Sequence, residues 1–473
     1  MRPTLSTTTL RRLQLPFTLR RNASTTASNP SIYDVVIVGG GPAGLSLASV
    51  LRSSAWTKPL KIALIEGMDL TPAREWKPTP DNFSNRVSSL TPGSVAFLQS
   101  TGAWDLVKQE RVQSYKGMEV WDGVSGSAIS FNTALGSTSD IAYMCENNNL
   151  TSGLLSHIES LGGIEIRDKT RVESITNGTD DGTLDLTSWP VVTLSSGEKM
   201  AARLLVGADG ANSPVRTFAE IETRGWDYGR HGVVATLKLE GTGEGEKTAY
   251  QRFLPTGPIA MLPMPGPYAT LVWSTTPQHA AALKALAPED FVAAVNAGFR
   301  LSHVDVEYIV SNVTKGVVDE FAWREQNTAV DEKRVPAKAV SVQEKSVANF
   351  PLKMRHADSY IAERVALIGD AAHSVHPLAG QGLNQGIGDV RSLAKTVEYA
   401  VQHGQDIGAV LSLEPYFEEQ YFKNHVLIGV VDKLHKLYGT TSAPVVAVRS
   451  LGLDAVNALD GLKKFIMDRA ASR

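Results

Sequence analysis

The sequence predicts an α/β fold, in which a parallel sheet is interleaved with an antiparallel sheet and followed by C-terminal helices. Three observations lead to this prediction. An apolar strand runs directly into a glycine-rich turn and an apolar helix within residues 34–51. Short apolar strands end in a Gly/Asp turn at 203–210 and again at 364–370. Between these two turns, segments of 226–360 alternate apolar and polar residues as antiparallel strands do.

Composition limits the class of protein. The 473 residues, 42% of them hydrophobic, suffice for a large core and two joined domains. The net charge of -3 offers no basic surplus, so no nucleic-acid partner is expected. Cys145 is the only cysteine, which excludes an intramolecular disulfide and a thiolate metal cluster. We interpret it as a core residue, with a catalytic thiol as the alternative. The longest uncharged segment, Phe253 to Lys284, contains six prolines, so no membrane span is predicted.

The N-terminal segment has the composition of a targeting peptide. Residues 1–30 contain five arginines, many Ser and Thr, and no acidic residue. This pattern predicts a mitochondrial transit peptide. A disordered basic tail is the alternative interpretation.

Residues 34–66 form a complete strand–turn–helix–strand unit, with Gly39, Gly41 and Gly44 in the turn. In this context the G-x-G-x-x-G spacing is typical of dinucleotide binding. Gly39 permits the turn, Gly41 lets a pyrophosphate approach the backbone, and Gly44 lets the helix pack against the sheet. Glu66 ends the second strand, where an acid can bind a ribose hydroxyl.

Two further elements fit a nucleotide site. Arg86 follows the first unit by twenty residues, and we predict that its guanidinium clamps the pyrophosphate in a bidentate fork. An ordinary surface charge is the alternative. Asp209 and Gly210 end the strand at 203–206 and predict a second loop at the same edge of the sheet. An Asx-turn that only closes the strand is the alternative for Asp209.

The stretch from Arg364 to Gly386 predicts a buried strand, a Gly369-Asp370 break, a glycine-rich loop and a helix that begins near Leu383. Such a loop brings backbone amides and a helix N-terminus close to a group that is or becomes anionic, as a reduced flavin does. An ordinary strand–turn–helix corner is the alternative.

These patterns divide the chain into five predicted segments, one of which contains an irregular tract. The tract 327–348 is charged and weakly patterned, which predicts a mobile loop or an insertion. The predicted segments are 1–30, the transit peptide; 31–225, a nucleotide-binding domain with a β-hairpin excursion at 116–145; 226–360, a β-sheet substrate domain; 361–405, the returning segment of the first domain; and 406–473, a C-terminal helical region.

The C-terminal region predicts an amphipathic helix over residues 451–466. Docking on the chain's own domain, on a membrane surface or on a partner protein all remain open. The apolar face carries Leu451, Ala455, Ala458, Leu459, Leu462 and Ile466, and the polar face carries Asp454, Asn457, Asp460, Lys463 and Lys464.

The Gly39, Asp209-Gly210 and Gly369-Asp370 loops, in this order, resemble the three signatures of flavoprotein aromatic hydroxylases of the para-hydroxybenzoate hydroxylase class. Residues 376–384 with Asp389 are similar to the signature of ubiquinone-biosynthesis ring hydroxylases, as are 251–259 and 449–453. The resemblance covers nearly the whole chain after residue 31, and with the N-terminal segment it points to the mitochondrial members. It implies FAD as cofactor and a Rossmann-like FAD-binding domain.

The resemblance also implies roles for the site residues. Gly39, Gly41, Gly44 and Glu66 would hold the ADP half of FAD, Arg86 the pyrophosphate, and Asp370 a ribityl hydroxyl, while Asp209 would serve FAD and nicotinamide contact. Pro377, Gly380, Gly382 and Asn384 would line the isoalloxazine ring. His373 and His376 flank that ring and are candidates for the acid or base that acts on a phenol, although each is more often a structural histidine. No matching carboxylate ligands accompany them, so no metal is expected.

The reaction implied is hydroxylation at C5 of a polyprenyl-4-hydroxybenzoate-type ring by dioxygen, through a flavin C4a-hydroperoxide. Electrons would come from ferredoxin with its reductase, or from NADPH. Other ubiquinone-biosynthesis proteins in a membrane-associated complex are implied partners, with peripheral attachment to the matrix side of the mitochondrial inner membrane. Two alternatives remain. One is another FAD enzyme of this fold, such as a prenyl reductase or a self-sufficient NADPH-dependent aromatic hydroxylase; the other is a non-enzymatic isoprenoid-binding or scaffold protein.

Overall fold

The computed structural model describes residues 29–136, 138–241, 243–312, 316–375 and 380–471. Residues 1–28 of the predicted transit peptide lie outside these ranges, and so do two predicted site residues, His376 and Pro377.

The strands and α-helices within the described ranges are numbered in chain order. The strands are β1 (Ser31–Val38), β2 (Ile62–Ile65), β3 (Val87–Leu90), β4 (Val112–Tyr115), β5 (Gly117–Asp122), β6 (Ala128–Asn132), β7 (Ala142–Glu146), β8 (Ile164–Arg167), β9 (Val172–Asn177), β10 (Pro190–Leu194), β11 (Lys199–Gly207), β12 (Thr223–Leu239), β13 (Thr248–Leu254), β14 (Gly257–Pro263), β15 (Tyr268–Thr275), β16 (Ala339–Val342), β17 (Ala348–Ala357), β18 (Ile361–Ala362), β19 (Val365–Leu367) and β20 (His373–Ser374). The helices are α1 (Pro42–Ser53), α2 (Thr71–Arg74), α3 (Pro92–Thr101), α4 (Asn147–Leu161), α5 (Pro214–Phe218), α6 (Pro277–Ala285), α7 (Pro288–Arg300), α8 (His303–Ser311), α9 (Val317–Gln326), α10 (Gly382–Gln402), α11 (Val410–Tyr438), α12 (Ala443–Ala458) and α13 (Asp460–Ala471).

The first sheet has the order β18-β19-β11-β1-β2-β8, with β10 and β9 attached beside β11. β19, β11, β1, β2 and β8 are parallel to one another. The central residues of β19, β11, β1 and β2 are almost all Val, Ile, Leu or Ala and are buried, as expected when helices cover both faces of a parallel sheet, whereas β8 at the edge is half-buried. α1, α4 and α10 pack together within this core.

The second sheet has nine strands in the order β20-β17-β12-β15-β14-β13-β5-β6, with β16 beside β12. The predicted hairpin is present as β5 and β6, and the parallel pairing of β5 with β13 adds it to this sheet. α6, α7, α8 and α9 cover one face of the sheet, with Phe291, Phe299 and Trp273 in the shared core. A third, three-stranded sheet, β3-β7-β4, lies beside a small core that contains Phe83, Tyr115 and Met264.

Two expectations for the second domain need correction. Residues 226–360 were expected to consist of strand-like segments, yet 277–326 contains four helices. The tract 327–348 was expected to be a mobile loop or an insertion; most of it lies outside helices and strands, but Ala339–Val342 forms β16, which pairs with β12. β16 has the sequence Ala-Val-Ser-Val, so the charged residues around it obscured a short alternating strand.

The C-terminal region is helical, but the predicted amphipathic helix is broken at Leu459, between α12 and α13. α12 is fixed to the β5–β6 hairpin by Arg449, whose Nε and Nη2 each donate to Asp122 at 2.9 Å. Both side chains are only 1% exposed. Among the helices of the described ranges, none has the length and apolarity to cross a bilayer.

Candidate cofactor and substrate site

Three glycine-containing loops meet at one edge of the first sheet. β1, β11 and β19 are adjacent and parallel, with Val38 opposite Gly207 and Gly207 opposite Leu367. The loops that follow these strands therefore emerge side by side, at the edge where α/β sheets bind their ligands. These are the Gly39, Asp209-Gly210 and Gly369-Asp370 loops identified in the sequence.

The three glycines of the first turn differ in their surroundings. Gly39 has a φ of +112°, and a Cβ there would lie 2.2 Å from the carbonyl oxygen of Ala208. A Cβ on Gly44 would lie 2.0 Å from the Gly39 carbonyl oxygen, so this glycine allows α1 to approach the turn closely. A Cβ on Gly41 would meet no atom within 4 Å, so open space faces the backbone there. This is the arrangement expected where a bound group approaches the chain.

Glu66 lies at the carboxyl end of β2, beside this turn. Its Oε2 accepts a hydrogen bond from the Gly40 backbone N–H at 2.6 Å, and its Oε1 accepts one from Met68 at 2.7 Å. The carboxylate is thus held where the sequence predicts contact with a ribose.

Arg86 is exposed and precedes β3, whose residues Val87, Ser88 and Ser89 line the central cavity. Within the described ranges, no ion pair is formed by its guanidinium. Its charge therefore remains available for a phosphate group.

Asp209 carries an unsatisfied acceptor. Its Oδ2 accepts a long hydrogen bond from the Val215 N–H at 3.4 Å, while its buried Oδ1 has no partner. Burial raises the pKa of this carboxyl. Arg216 connects the second loop to the third, since its guanidinium donates to the carbonyls of Ala211 and Ala371, both at 2.7 Å.

Asp370 opens onto the cavity, and desolvation by the surrounding protein raises the pKa of its carboxyl, an effect that His373 partly opposes. His373 is only 1% exposed and does not reach the cavity. Its Nε2 lies 2.6 Å from Oδ2 of Asp389, which also accepts the Gly369 N–H at 2.9 Å. Burial alone would lower the pKa of His373, but the charge and hydrogen bond of Asp389 raise it. The geometry favours a role in positioning the loop, and the predicted acid or base role stays untested.

Asn384 does not line the cavity, contrary to the role predicted for it. Its side chain is 1% exposed, and its Oδ1 accepts from the Thr91 N–H and the Ser94 hydroxyl, each at 2.9 Å. Its Nδ2 donates to the carbonyls of Ser89 at 2.7 Å and Gly380 at 3.3 Å. The amide therefore ties the glycine-rich loop to β3 and α3 from behind.

The loops enclose one side of a cavity of about 630 Å³. Of the predicted site residues, Gly41, Asp370, Gly380 and Gly382 line it, and α10 begins at Gly382 with its N-terminus beside the cavity. The open space at the Gly41 backbone and this helix N-terminus fit a dinucleotide with an anionic ring system, whereas Asp209 is not among the residues that line the cavity.

The opposite wall of the cavity comes mainly from the second sheet, and most of its residues were not predicted from the sequence. Strand alternation could have identified it, because every second residue of β14 faces the cavity. Phe253 and Trp273 do not line the cavity: Phe253 stacks on Tyr438 at 4.1 Å, and Trp273 belongs to the core beneath the helices. The residues of the second sheet that line the cavity are Met118, Gln251, Pro258, Ala260, Leu262, Val272, Ser274 and Phe350, and Tyr115 of β4 adjoins them.

Cys145 lies in the core of the first domain, and burial together with the charge of Glu146 raises its thiol pKa to about 12. It is therefore a protonated core residue. Across the parts of the chain that the structure describes, no group of three or more His, Cys, Asp or Glu side chains is placed to hold a metal ion.

Comparison with known proteins agrees with this site. The FAD binding domain family model matches residues 32–407. Relatives named ubiquinone biosynthesis monooxygenase COQ6, mitochondrial, include the Saccharomyces cerevisiae protein, 42% identical over 95% of this chain and 96% of its own length. The Schizosaccharomyces pombe protein is 41% identical, over 93% of this chain and 92% of its own. The human protein is 38% identical, over 93% of each.

Solved structures show the same fold at low sequence identity. The p-nitrophenol 4-monooxygenase PnpA from Pseudomonas putida has a TM-score of 0.67, with 17% identity over 94% of this chain and 100% of its own. PqsL from Pseudomonas aeruginosa, a probable FAD-dependent monooxygenase, has a TM-score of 0.64, with 20% identity over 90% of this chain and 100% of its own. The predicted fold class is confirmed.

Proposed function

This chain belongs to the FAD-binding family of the COQ6 ubiquinone-biosynthesis monooxygenases, and from that premise we propose that it hydroxylates C5 of a polyprenyl-4-hydroxybenzoate-type ring. It is an FAD-dependent monooxygenase of ubiquinone biosynthesis. The C5 position and the polyprenylated phenol follow from the sequence resemblance.

The observation that carries the proposal is the position of the cavity between two unlike walls. One wall is made of the glycine loops of the first sheet, where a flavin fits. The other is the face of the second sheet, where Ala260, Leu262 and Val272 present apolar side chains. A substrate that enters this space lies directly against the flavin ring.

We assign the ADP half of FAD to the Gly39–Gly44 turn, Glu66 and Arg86, and the ribityl chain to Asp370. Gly380 and Gly382 adjoin the ring, and Asp209 supplies an acceptor from the second loop. His376 and Pro377, outside the described residues, remain predicted members of the same loop. Segments 31–225 and 361–405 would thus hold the cofactor, and 226–360 the substrate.

When bound, FAD would supply the reducing equivalents that activate dioxygen, so that one oxygen atom enters the electron-rich ring and the other leaves as water. The protein's contribution is to orient the ring and to exclude water, for which the apolar face of β14 and β15 is suited. Tyr115, Gln251 and Ser274 are the polar groups that reach the cavity from the sheet side. We expect them to fix the ring through its hydroxyl and carboxyl substituents.

Ferredoxin with its reductase is the electron donor that we propose, with NADPH as the competing source. The oxygen source is dioxygen. We also propose removal of residues 1–30 on import, peripheral attachment to the matrix side of the inner membrane, and contact with other ubiquinone-biosynthesis proteins. The homologues' names give the mitochondrial location.

The test begins with an absorption spectrum of the purified protein and anaerobic addition of NADPH, followed by ferredoxin and its reductase. We expect flavin bands that bleach only with the ferredoxin pair, and ring hydroxylation when dioxygen is then admitted. Rapid bleaching by NADPH alone would contradict the proposed donor. Absence of flavin even after FAD addition would contradict the enzyme itself and favour an isoprenoid-binding protein.

A further inference from the structure

The two C-terminal helices, α12 and α13, expose apolar residues and bury charged ones, which is the reverse of the usual pattern for surface helices of a water-soluble protein. On α12, Arg449 is 4% exposed whereas Val448 and Leu451 are 70% and 71% exposed. On α13, Lys463 is 8% exposed whereas Phe465 is 62% exposed. Surface helices of soluble proteins normally bury their apolar face and expose their charges.

Polar contacts with the hairpin explain this inverted orientation. Arg449 pairs with Asp122, and Oδ1 of Asn457 accepts the backbone N–H of Ser130 at 3.2 Å. Asp454 accepts the Ser127 hydroxyl at 3.3 Å. Because the polar side of α12 contacts the hairpin, its apolar side faces the solvent.

α11 also exposes apolar side chains, and it contacts the other two helices. Phe422 and Val426, one turn apart, are 70% and 41% exposed. The three helices meet at their ends: Arg449 of α12 donates to the Leu437 carbonyl of α11 at 2.8 Å, and α13 follows α12 directly. Arg469 of α13 and Lys423 of α11 line one small cavity of about 170 Å³.

We define the C-terminal apolar surface by two residues from each helix, which are Phe422, Val426, Val448, Leu451, Leu462 and Phe465. An exposed apolar area shared by three helices marks a binding surface rather than scattered side chains.

The charge and composition of this surface favour a bilayer as its partner. Residues 423–471 contain seven Lys and Arg against four Asp; because Arg449 pairs with Asp122 and Lys423 with Glu419, both outside this range, the surplus is one positive charge in a chain whose net charge is -3. Exposed aliphatic and Phe side chains beside cations are what an interfacial membrane helix uses, since the apolar groups enter the acyl boundary and the cations meet anionic headgroups.

The surface is also close to the catalytic cavity. The small cavity at Arg469 and Lys423 is bounded by Gln381 and Gln385, in the first turn of α10. Gly382 and Gly386, on the other side of that turn, line the large cavity. One helix turn thus separates this small cavity, which α11 and α13 share, from the proposed flavin site.

We propose that the C-terminal apolar surface docks on a phospholipid bilayer that contains anionic lipids. The inference deepens the proposed function, because a polyprenylated ring resides in a bilayer and has to reach the cavity from there. The polar side of α12 docks on the chain's own hairpin, and we assign its apolar side to the membrane surface.

The test is sedimentation of the full-length flavin-loaded protein with phosphatidylcholine vesicles, with and without roughly one-fifth cardiolipin. We expect binding that increases with cardiolipin, and a loss of at least about tenfold in the partition coefficient for the double variant Val448→Glu/Leu451→Glu. Both positions are exposed, so the variant should keep its flavin spectrum and thermal midpoint.

Val304→Glu/Trp323→Glu is the matched control, since these side chains of α8 and α9 are 63% and 62% exposed but lie outside the surface. The control should bind vesicles as the parent protein does. Equal binding by Val448→Glu/Leu451→Glu, or an equal loss in the control, would overturn the proposal. So would a parent protein that is dimeric in sedimentation velocity and that Val448→Glu/Leu451→Glu makes monomeric.

Hydroxylation of a short-chain, water-soluble ring separates this proposal from the proposed function. We expect Val448→Glu/Leu451→Glu to retain that activity while losing vesicle binding. If the parent protein binds vesicles through this surface but hydroxylates no ring, the docking surface stands and the proposed function fails.

Discussion

Gly382 is a position where a larger side chain should block cofactor binding without preventing folding. Its nearest neighbour, for a Cβ, is the Val375 side chain at 4.0 Å, and the space beyond is the cavity. We predict that Gly382→Leu loses bound flavin, at least about tenfold in affinity, because the side chain occupies the ring's position. Flavin content by absorbance and the thermal midpoint of the apoprotein are the measurements.

Gly429→Leu is the control for this prediction. Gly429 is also helical, and a Cβ there meets nothing within 4 Å, but it lies far along α11. The control should keep its flavin. Normal flavin content and turnover in Gly382→Leu would remove this loop from the site.

His356 gives the molecule a specific sensitivity to acid. Its Nε2 lies 2.8 Å from the Tyr360 hydroxyl, and its ring stacks on Tyr421 at 4.7 Å. Burial, with smaller effects of His373 and His425, lowers its pKa to about 4. The unfolded chain takes up a proton near pH 6.5 whereas the folded chain does not, so stability falls between about pH 6.5 and pH 4.

We predict that His356→Gln flattens the acid limb of the curve of unfolding free energy against pH, along which the parent protein loses on the order of 2 to 3 kcal/mol. Urea unfolding at a series of pH values measures it. His403→Gln, at an exposed histidine, is the comparison and should leave the limb intact. An unchanged slope in His356→Gln would assign the acid sensitivity to other groups.

Single residues also show how far the sequence could predict the site. The glycines and Asp370 were identified because their role depends on backbone position, which motif spacing encodes. Asn384 was placed on the ring by the family resemblance, but its amide oxygen accepts hydrogen bonds from Thr91 and Ser94. That direction depends on where α3 packs, which no local pattern contains.

At the scale of elements, the buried pair between α12 and the hairpin is the strongest single attachment of the C-terminal region. We predict that Arg449→Leu raises hydrogen exchange throughout α12 and costs about 3 to 5 kcal/mol locally, because Asp122 is left buried without its counter-charge. Native-state hydrogen exchange measures this opening.

The exposed pair of Arg224 and Asp358, at 2.8 Å with Arg224 84% exposed, is the comparison. Arg224→Leu should cost less than about 1 kcal/mol, as surface ion pairs do. If the two variants cost the same, burial of the Arg449 pair is not what holds α12 in place.

Elements differed in how well the sequence predicted them. The first strand–turn–helix–strand unit was predicted almost to its ends because its period changes from buried strand to helix at a glycine turn. Helix α7 was missed although Phe291, Val295 and Phe299 repeat every four residues, because 226–360 was interpreted as a region of strand-like segments. The pairing of the hairpin with β13 is a long-range contact that only the folded chain reveals.

For the whole molecule, FAD should act as a clamp between sequence-distant segments. The proposed contacts come from 39–44, 209–210 and 369–382, so binding should stabilise the entire first domain. We predict about 2.7 kcal/mol of added stability at a free FAD concentration one hundred times the dissociation constant. Unfolding of apoprotein at increasing FAD measures it, and stabilisation that does not depend on FAD concentration would contradict the clamp.

The side-by-side arrangement of β1, β11 and β19 also determines when, during folding, the cofactor site is complete. β1 is made first, but the row β1-β11-β19 is complete only when Val365–Leu367 has joined β11. Contacts of such long sequence separation carry a loop-closure cost and slow folding. We therefore expect the complete flavin site to exist only in molecules whose residues 365–382 have folded onto the first sheet, so the cofactor is fully bound after synthesis of that segment and not during synthesis of the N-terminal unit.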